Sequence, residues 1–199
     1  MKQLRELTNE ELKEAYDTVM KEAFPPQELK PYEAMLRLRE MGAYSPRALF
    51  EDGRPIGYIC LWLDEPYILI DYLFVPKESR NRGIGALVIK AAIDAYPDET
   101  VFIGESEAPT GDGEADKIIN RRLGFYARNG AVTLGYDTAL FGVHYKTIVW
   151  AKKMPSEEEI LLHHDGIYRK CMAPEVYEAA VQIPLRPGDA VKSFDAWRE

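Results

Sequence analysis

Cysteine is scarce: 199 residues contain two, Cys60 and Cys171, whose separation forms neither a disulfide framework nor a metal-ligating set, so both read as free thiols and no metal is expected. Long apolar runs are also missing. No uninterrupted stretch approaches the roughly 20 residues of a membrane span, and Met1-Lys2-Gln3-Leu4-Arg5-Glu6 lacks the apolar centre of a secretion signal. The expectation is a soluble, cytoplasmic protein with no membrane partner. Positive charge is in deficit, 25 Lys and Arg against 33 Asp and Glu. A net charge of −8 argues against a nucleic-acid backbone as the main partner, because that binding needs surplus cations; it suits cationic small molecules, and equally is the ordinary mild acidity that keeps soluble proteins dispersed. Tandem repeats, low-complexity tracts and interdomain linkers are absent. With 46% hydrophobic and 29% charged residues, the chain can bury one sizeable core.

What is present centres on Val75-Pro76-Lys77-Glu78-Ser79-Arg80-Asn81-Arg82-Gly83-Ile84-Gly85-Ala86. Before it, Tyr67 to Val75 is almost continuously apolar and rich in aromatic and β-branched residues, which predicts a strand buried on both faces. After it, Ile84, Leu87, Val88, Ala91, Ala92 and Ala95 recur at the spacing of one helical face. A helix start leaves backbone N–H groups unpaired and carries partial positive charge, which suits a phosphate. Glycine at positions 83 and 85 leaves those amides uncovered, and Arg80 and Arg82 add guanidinium donors. A bare Gly-x-Gly is more often only a tight turn; the arginines and the preceding strand shift the balance toward a pyrophosphate site. The Walker pattern is absent, and the dinucleotide fingerprint lacks its third small residue because Val88 stands there.

The remaining pattern, Arg80-x-x-Gly83-x-Gly85 after a strand ending Val75-Pro76, resembles the acyl-CoA pyrophosphate loop of the GNAT superfamily of N-acetyltransferases. The resemblance implies acetyl-CoA as co-substrate. Arg80, Asn81, Arg82, Gly83, Ile84, Gly85 and Ala86 would hold its pyrophosphate. Backbone groups of Leu73, Phe74 and Val75 would line the pantetheine arm, which enters where the strands before and after the Gly-loop helix splay apart. The matching motifs cover residues 56 to 150, and the helical opening extends the likeness toward the N-terminus.

Along the chain, Lys2 to Leu7 is a candidate edge strand. Thr8-Asn9-Glu10-Glu11 has the capping-box form, followed by a stripe of Leu12, Ala15, Tyr16, Val19, Met20 and Ala23 that ends at Pro25-Pro26. A second helix runs from Pro31 to Gly42. Arg47 to Glu51 and Ile56 to Leu63 flank Glu51-Asp52-Gly53-Arg54-Pro55 as a β-hairpin. Thr100 to Gly104 is a short strand, Asp112 to Arg128 a helix, and Ala131 to Tyr136 and Phe141 to Ala151 two closing strands. The predicted fold is α/β, in the order βααβββαβαββ, and the resemblance implies a mixed, mostly antiparallel central sheet flanked by helices. Residues 1–151 form the GNAT-like domain and residues 152–199 a C-terminal extension.

Gly124-Phe125-Tyr126-Ala127-Arg128-Asn129-Gly130 resembles the family's Phe-Tyr-x-x-x-Gly-Phe signature, with Ala131 in place of the final Phe. By that resemblance Tyr126 is the general acid toward the departing thiolate. A phenol, with a reference pKa of about 10, holds its proton at neutral pH and can give it up there. By itself a Phe-Tyr pair at a helix end is more often core packing. Ile119 stands where the family often has Asn, with Asn120 one position along. An amine nucleophile must lose a proton, and the resemblance puts a carboxylate base at Glu105; Asp71 and then Glu107 rank after it, and Asp71, a lone acid in the most apolar strand, can instead bond backbone or pair with a buried arginine. Glu105, Glu107, Asp112, Glu114 and Asp116 form either an acidic collar for a cationic amine or an ordinary solvated loop, with Arg121 and Arg122 available to pair with them.

His163-His164-Asp165 reads as a surface cluster, because adjacent histidines do not share a helical face, and His144 as a satisfied structural histidine. The extension has a capping box at Ser156-Glu157-Glu158-Glu159, a helix start at Ala173-Pro174-Glu175, and an irregular end at Pro184 and Pro187. Its apolar residues must cover either the acceptor cleft or a homodimer contact. The reading is an N-acetyltransferase acting on a primary amine of a small molecule or peptide; the alternative is a non-catalytic acyl-CoA sensor or interaction module of the same fold.

Overall fold

A computed structural model describes residues 2–26 and 28–193. The sequence opens as strand β1 (Lys2–Glu6), antiparallel to β2 (Tyr44–Glu51) with Lys2 opposite Glu51. Thr8 then starts α1 (Asn9–Ala15) through the capping box the sequence predicts: its hydroxyl accepts from the Glu11 amide, and the Glu11 carboxylate accepts from the Thr8 amide. Glu11 also takes the Arg5 guanidinium at 2.7 and 2.8 Å, and those bonds, ahead of the backbone bond, hold its carboxyl down at about 2. The path continues through a π-helical turn (Tyr16–Met20) and a final turn (Lys21–Ala23), ending before the proline pair. Helix α2 (Tyr32–Glu40) buries Met35 and Leu38.

The first compact unit runs to Pro97. In it β2, β3 (Arg54–Asp64) and β4 (Tyr67–Phe74) form an antiparallel meander. The hairpin turn places Asp52 and Gly53 at φ 51° and 80°, which is why Asp-Gly stands there. Both strands after the turn are mainly apolar and buried, with Ile59, Leu61, Trp62, Ile68 and Leu69 at the centre. Helix α3 (Ile84–Asp94) packs on β3.

That packing depends on Gly57. A Cβ there would lie 2.8 Å from Ile84 Cγ2 and 2.8 Å from Val88 Cγ2. Both are methyls of stiff β-branched side chains on the first turns of α3, so neither swings away. Gly57→Ala is therefore expected to cost about 1–3 kcal/mol of stability by overpacking and to displace the start of α3. Urea titration checks it: a midpoint equal to that of the parent would show that the helix is not held this closely.

The second unit begins at Asp98. It contains β5 (Val101–Glu107), α4 (Gly113–Arg128), β6 (Val132–Leu140), β7 (Val143–Ala151), α5 (Glu157–Cys171), α6 (Pro174–Ala180) and β8 (Val181–Leu185). Its strand order is β5-β7-β6-β8, antiparallel throughout. Asp112 caps α4 and Ser156 caps α5. In register, Glu105 faces Thr147 and Gly104 faces Ile148, so the side chains of Glu105 and Thr147 share one side of the sheet. Gly104 leaves room on the other side for Trp150 and Ile148, which its Cβ would meet at 3.1 and 3.2 Å.

The tail departs from the sequence reading. Val181–Leu185 is a strand rather than an irregular end, pairing with β6 through Leu140↔Val181, Ala139↔Gln182 and Asp137↔Leu185. Pro184 argued against it, but an outermost strand has an edge that needs no donors, and there proline is tolerated. Among the described residues no helix is long and apolar enough to cross a membrane.

Candidate active site

The loop after β4 begins with a single 3-10 turn (Lys77–Ser79) and ends at Gly83, which sits in the left-handed region at φ 72° as the N-cap of α3. Asn81 is left-handed too, at φ 61°, a conformation asparagine tolerates better than most residues. No side-chain oxygen caps the helix. The Leu87 amide reaches back to the Gly83 carbonyl at 3.2 Å, so the first-turn amides of Ile84, Gly85 and Ala86 precede the internal ladder. Space beside Gly83 is open: a Cβ there would meet nothing within 4 Å. Arg80 Nε donates to the Val75 carbonyl at 3.0 Å, and Arg82 donates to Glu51 at 3.0 Å across an exposed ion pair. Both guanidiniums are thus tethered beside the helix start with donors to spare. Leu73 lies opposite Ile59, and the Phe74 ring stacks on Tyr58 at 4.7 Å while meeting Phe24 edge-on. The α3 start fits an anionic diphosphate by its amides, its open approach and its two arginines.

Tyr126 lies in the last turn of α4. Its ring meets Trp150 edge-on at 5.8 Å and Phe125 at 5.4 Å, and the Trp150 indole N–H donates to the Asn129 carbonyl at 2.9 Å. Gly130, at φ 89°, then turns the chain into β6. Burial raises the Tyr126 phenol above its ordinary value; Arg122 opposes the rise and Glu107 adds to it. The phenol therefore carries its proton throughout the neutral range, the state a donor to thiolate requires.

Asp71 accepts from the Lys30 ammonium at 3.1 and 3.2 Å and from the Tyr44 hydroxyl at 2.6 Å. The Lys30 charge also lies over the rings of Trp62 and Tyr72. With the Lys30 and Asp71 side chains only 9% and 12% exposed, this is a buried pair whose members hold each other in place, with lysine where an arginine or backbone partner was expected. Burial first, and the Asp71 charge second, push the neighbouring Cys60 thiol up to about 12.

The acidic stretch does not act as one group. Glu107 pairs with Arg122 at 3.1 Å, as the sequence allows; Glu114 pairs with Lys117, and Asp112 caps α4. Asp116 accepts from the amides of Thr110 and Gly111. Asn120 is exposed while Ile119 is buried. His144 bonds to Asp137 at 2.7 Å beside Lys146.

Glu105 is held by residues to which the sequence assigns no functional role. His164 Nε2 donates to one carboxylate oxygen at 2.8 Å and the Tyr168 hydroxyl to the other at 2.8 Å. The Tyr136 hydroxyl lies 3.1 Å from His164 Nδ1. His164 is 0% exposed, which corrects the reading of His163-His164-Asp165 as a surface cluster. Adjacent helical positions do not share a face, so one ring of the pair can turn inward while the other does not. The missed signal is the four-residue step Ile160, His164, Tyr168, which puts the histidine on the same stripe as a core isoleucine.

Comparison with known proteins agrees with the geometry. The sequence model of the acetyltransferase (GNAT) family matches residues 2–110. A protein assigned to the GNAT acetyltransferases of Bacteroides thetaiotaomicron is 19% identical and superimposes with a TM-score of 0.67, over 84% of this chain and 94% of that one. The ribosomal-protein-S18-alanine N-acetyltransferase of Escherichia coli is 14% identical with a TM-score of 0.57, over 79% and 97%. An aminoglycoside 6'-N-acetyltransferase solved with coenzyme A is 10% identical with a TM-score of 0.53, over 78% and 99%. At these identities the likeness establishes the fold: α/β, mostly antiparallel strands flanked by helices. No curated protein matches the sequence.

Proposed function

This chain belongs to the acetyltransferase (GNAT) family, and from that premise we propose that it transfers an acetyl group from acetyl-CoA to a primary amine of a small molecule or peptide. The observation that carries the reading is the left-handed, side-chain-free Gly83 opening α3, with Arg80 and Arg82 tethered beside it. Residues Arg80 to Ala86 would bind the diphosphate of coenzyme A, and the backbone of Leu73, Phe74 and Val75 its pantetheine arm.

In the reaction, the neutral amine nitrogen attacks the thioester carbonyl carbon and the C–S bond breaks. Glu105 takes the proton lost by the amine, and Tyr126 donates its own to the departing sulfur. Glu105 ranks first because the resemblance puts the base there, and because Asp71 and Glu107 are each paired with a Lys or Arg cation, Lys30 and Arg122. Alignment of the reactants supplies much of the rate. The negative balance of the chain favours cationic acceptors.

The test is incubation with acetyl-CoA and a panel of polyamines, aminoglycosides, amino acids and peptide N-termini, scored for free thiol and acetylated product. The expected result is product from at least one amine. Coenzyme A binding with no product from any of them would favour the sensor module instead.

A further inference from the structure

Glu105 stands on the side of its sheet that α5 covers, with a side chain 11% exposed. A carboxylate so enclosed is costly unless its lone pairs are engaged. Here each oxygen receives one donor, His164 on Oε1 and Tyr168 on Oε2. A carboxylate has about four lone-pair sites, so the two donors fix its plane and leave acceptor capacity for an incoming proton.

The donors are themselves held. His164 and Tyr168 lie one turn apart on α5 and project side by side, while Ile160 and Ile167 on the same helix are buried. Burial first, then the Glu105 charge, raises the Tyr136 phenol, which therefore keeps its proton and can donate it to His164 Nδ1. That leaves the ring hydrogen on Nε2, pointed at Glu105. Further along the helix Asp165 accepts from the Tyr177 hydroxyl of α6 and from Arg169, which ties α5 to the segment behind it.

We propose that His164 and Tyr168 are positioning residues that keep Glu105 oriented as the proton acceptor, so that the C-terminal extension is a working part of the catalytic apparatus. This rests on the assignment of Glu105 as base. The titratable groups that face Glu105 are His164 and Tyr168 from α5 and Tyr136 from β6; Glu157, at the start of α5, is engaged by the Gly135 amide.

The test uses the full chain and four variants, Tyr168→Phe, His164→Leu, His164→Gln and Glu105→Gln, with folding followed by thermal melting. Tyr168→Phe removes one oxygen, and His164→Gln retains a donor near the place of Nε2. Carbon-13 NMR of the glutamate carboxyls, with the Glu105 signal identified by its loss in Glu105→Gln, needs no substrate. Each hydrogen bond polarises the carboxylate, so the Glu105 signal should move in Tyr168→Phe and His164→Leu, and less in His164→Gln. In turnover with acetyl-CoA and the fastest amine of the panel, Tyr168→Phe should lower kcat about tenfold with KM for acetyl-CoA unchanged. That loss should vanish in the Glu105→Gln background, because the two residues act as one unit. An unmoved Glu105 signal in folded Tyr168→Phe or His164→Leu overturns the inference. So does a kcat loss that persists without Glu105. Full activity in Glu105→Gln instead overturns the base assignment beneath it.

Discussion

Tyr126→Phe is expected to lower kcat by about 10²–10⁴-fold, the range by which a positioned acid accelerates proton transfer, with acetyl-CoA affinity nearly unchanged. The substitution removes one oxygen and keeps the ring, so the edge-on packing against Trp150 and Phe125 survives and the end of α4 stays folded. What is lost is a proton held in place by a raised phenol pKa, whose main cause is burial. The departing thiolate must then find its proton in solvent. Single-turnover kinetics separate the steps: an equal fall in kcat and in cofactor affinity would mean that Tyr126 binds or packs and does not donate.

Gly83→Val is the second large effect, and it acts on binding. At φ 72° a β-branched residue pays a conformational cost of about 1–2 kcal/mol, which loosens the N-cap of α3. A Cβ at this position meets no atom within 4 Å beyond its two chain neighbours. The obstruction therefore falls on a ligand approaching the first-turn amides. Coenzyme A should bind at least about tenfold more weakly, 1.4 kcal/mol or more, while pantetheine, which lacks the diphosphate, should be unaffected. Weakening of both ligands alike would assign Gly83 a structural role only.

Much of the fold is legible in local chemistry. Thr8 and Glu11 announce a helix start because a capping box needs only neighbours, and Asp52-Gly53 announces a hairpin for the same reason. The Gly83 turn is legible because the strand before it and the apolar stripe after it have different periods. Properties that depend on distant partners are not. Lys30 pairs with Asp71 from 41 positions away, and His164 reaches Glu105 from 59. Val181–Leu185 becomes a strand only because β6 offers it an edge, against the signal of Pro184. The acids of residues 105–116 read alike in sequence; their separate tasks as cap, ion pair and buried acceptor emerge once α4 and α5 are packed.

The most direct measurement is isothermal calorimetry of the full chain with coenzyme A and, in parallel, with pantetheine. If the amides of Ile84, Gly85 and Ala86, aided by Arg80 and Arg82, grip a diphosphate, coenzyme A binds with a Kd in the micromolar range and pantetheine at least about tenfold more weakly. No heat with millimolar coenzyme A, or equal binding of the two ligands, would contradict the account.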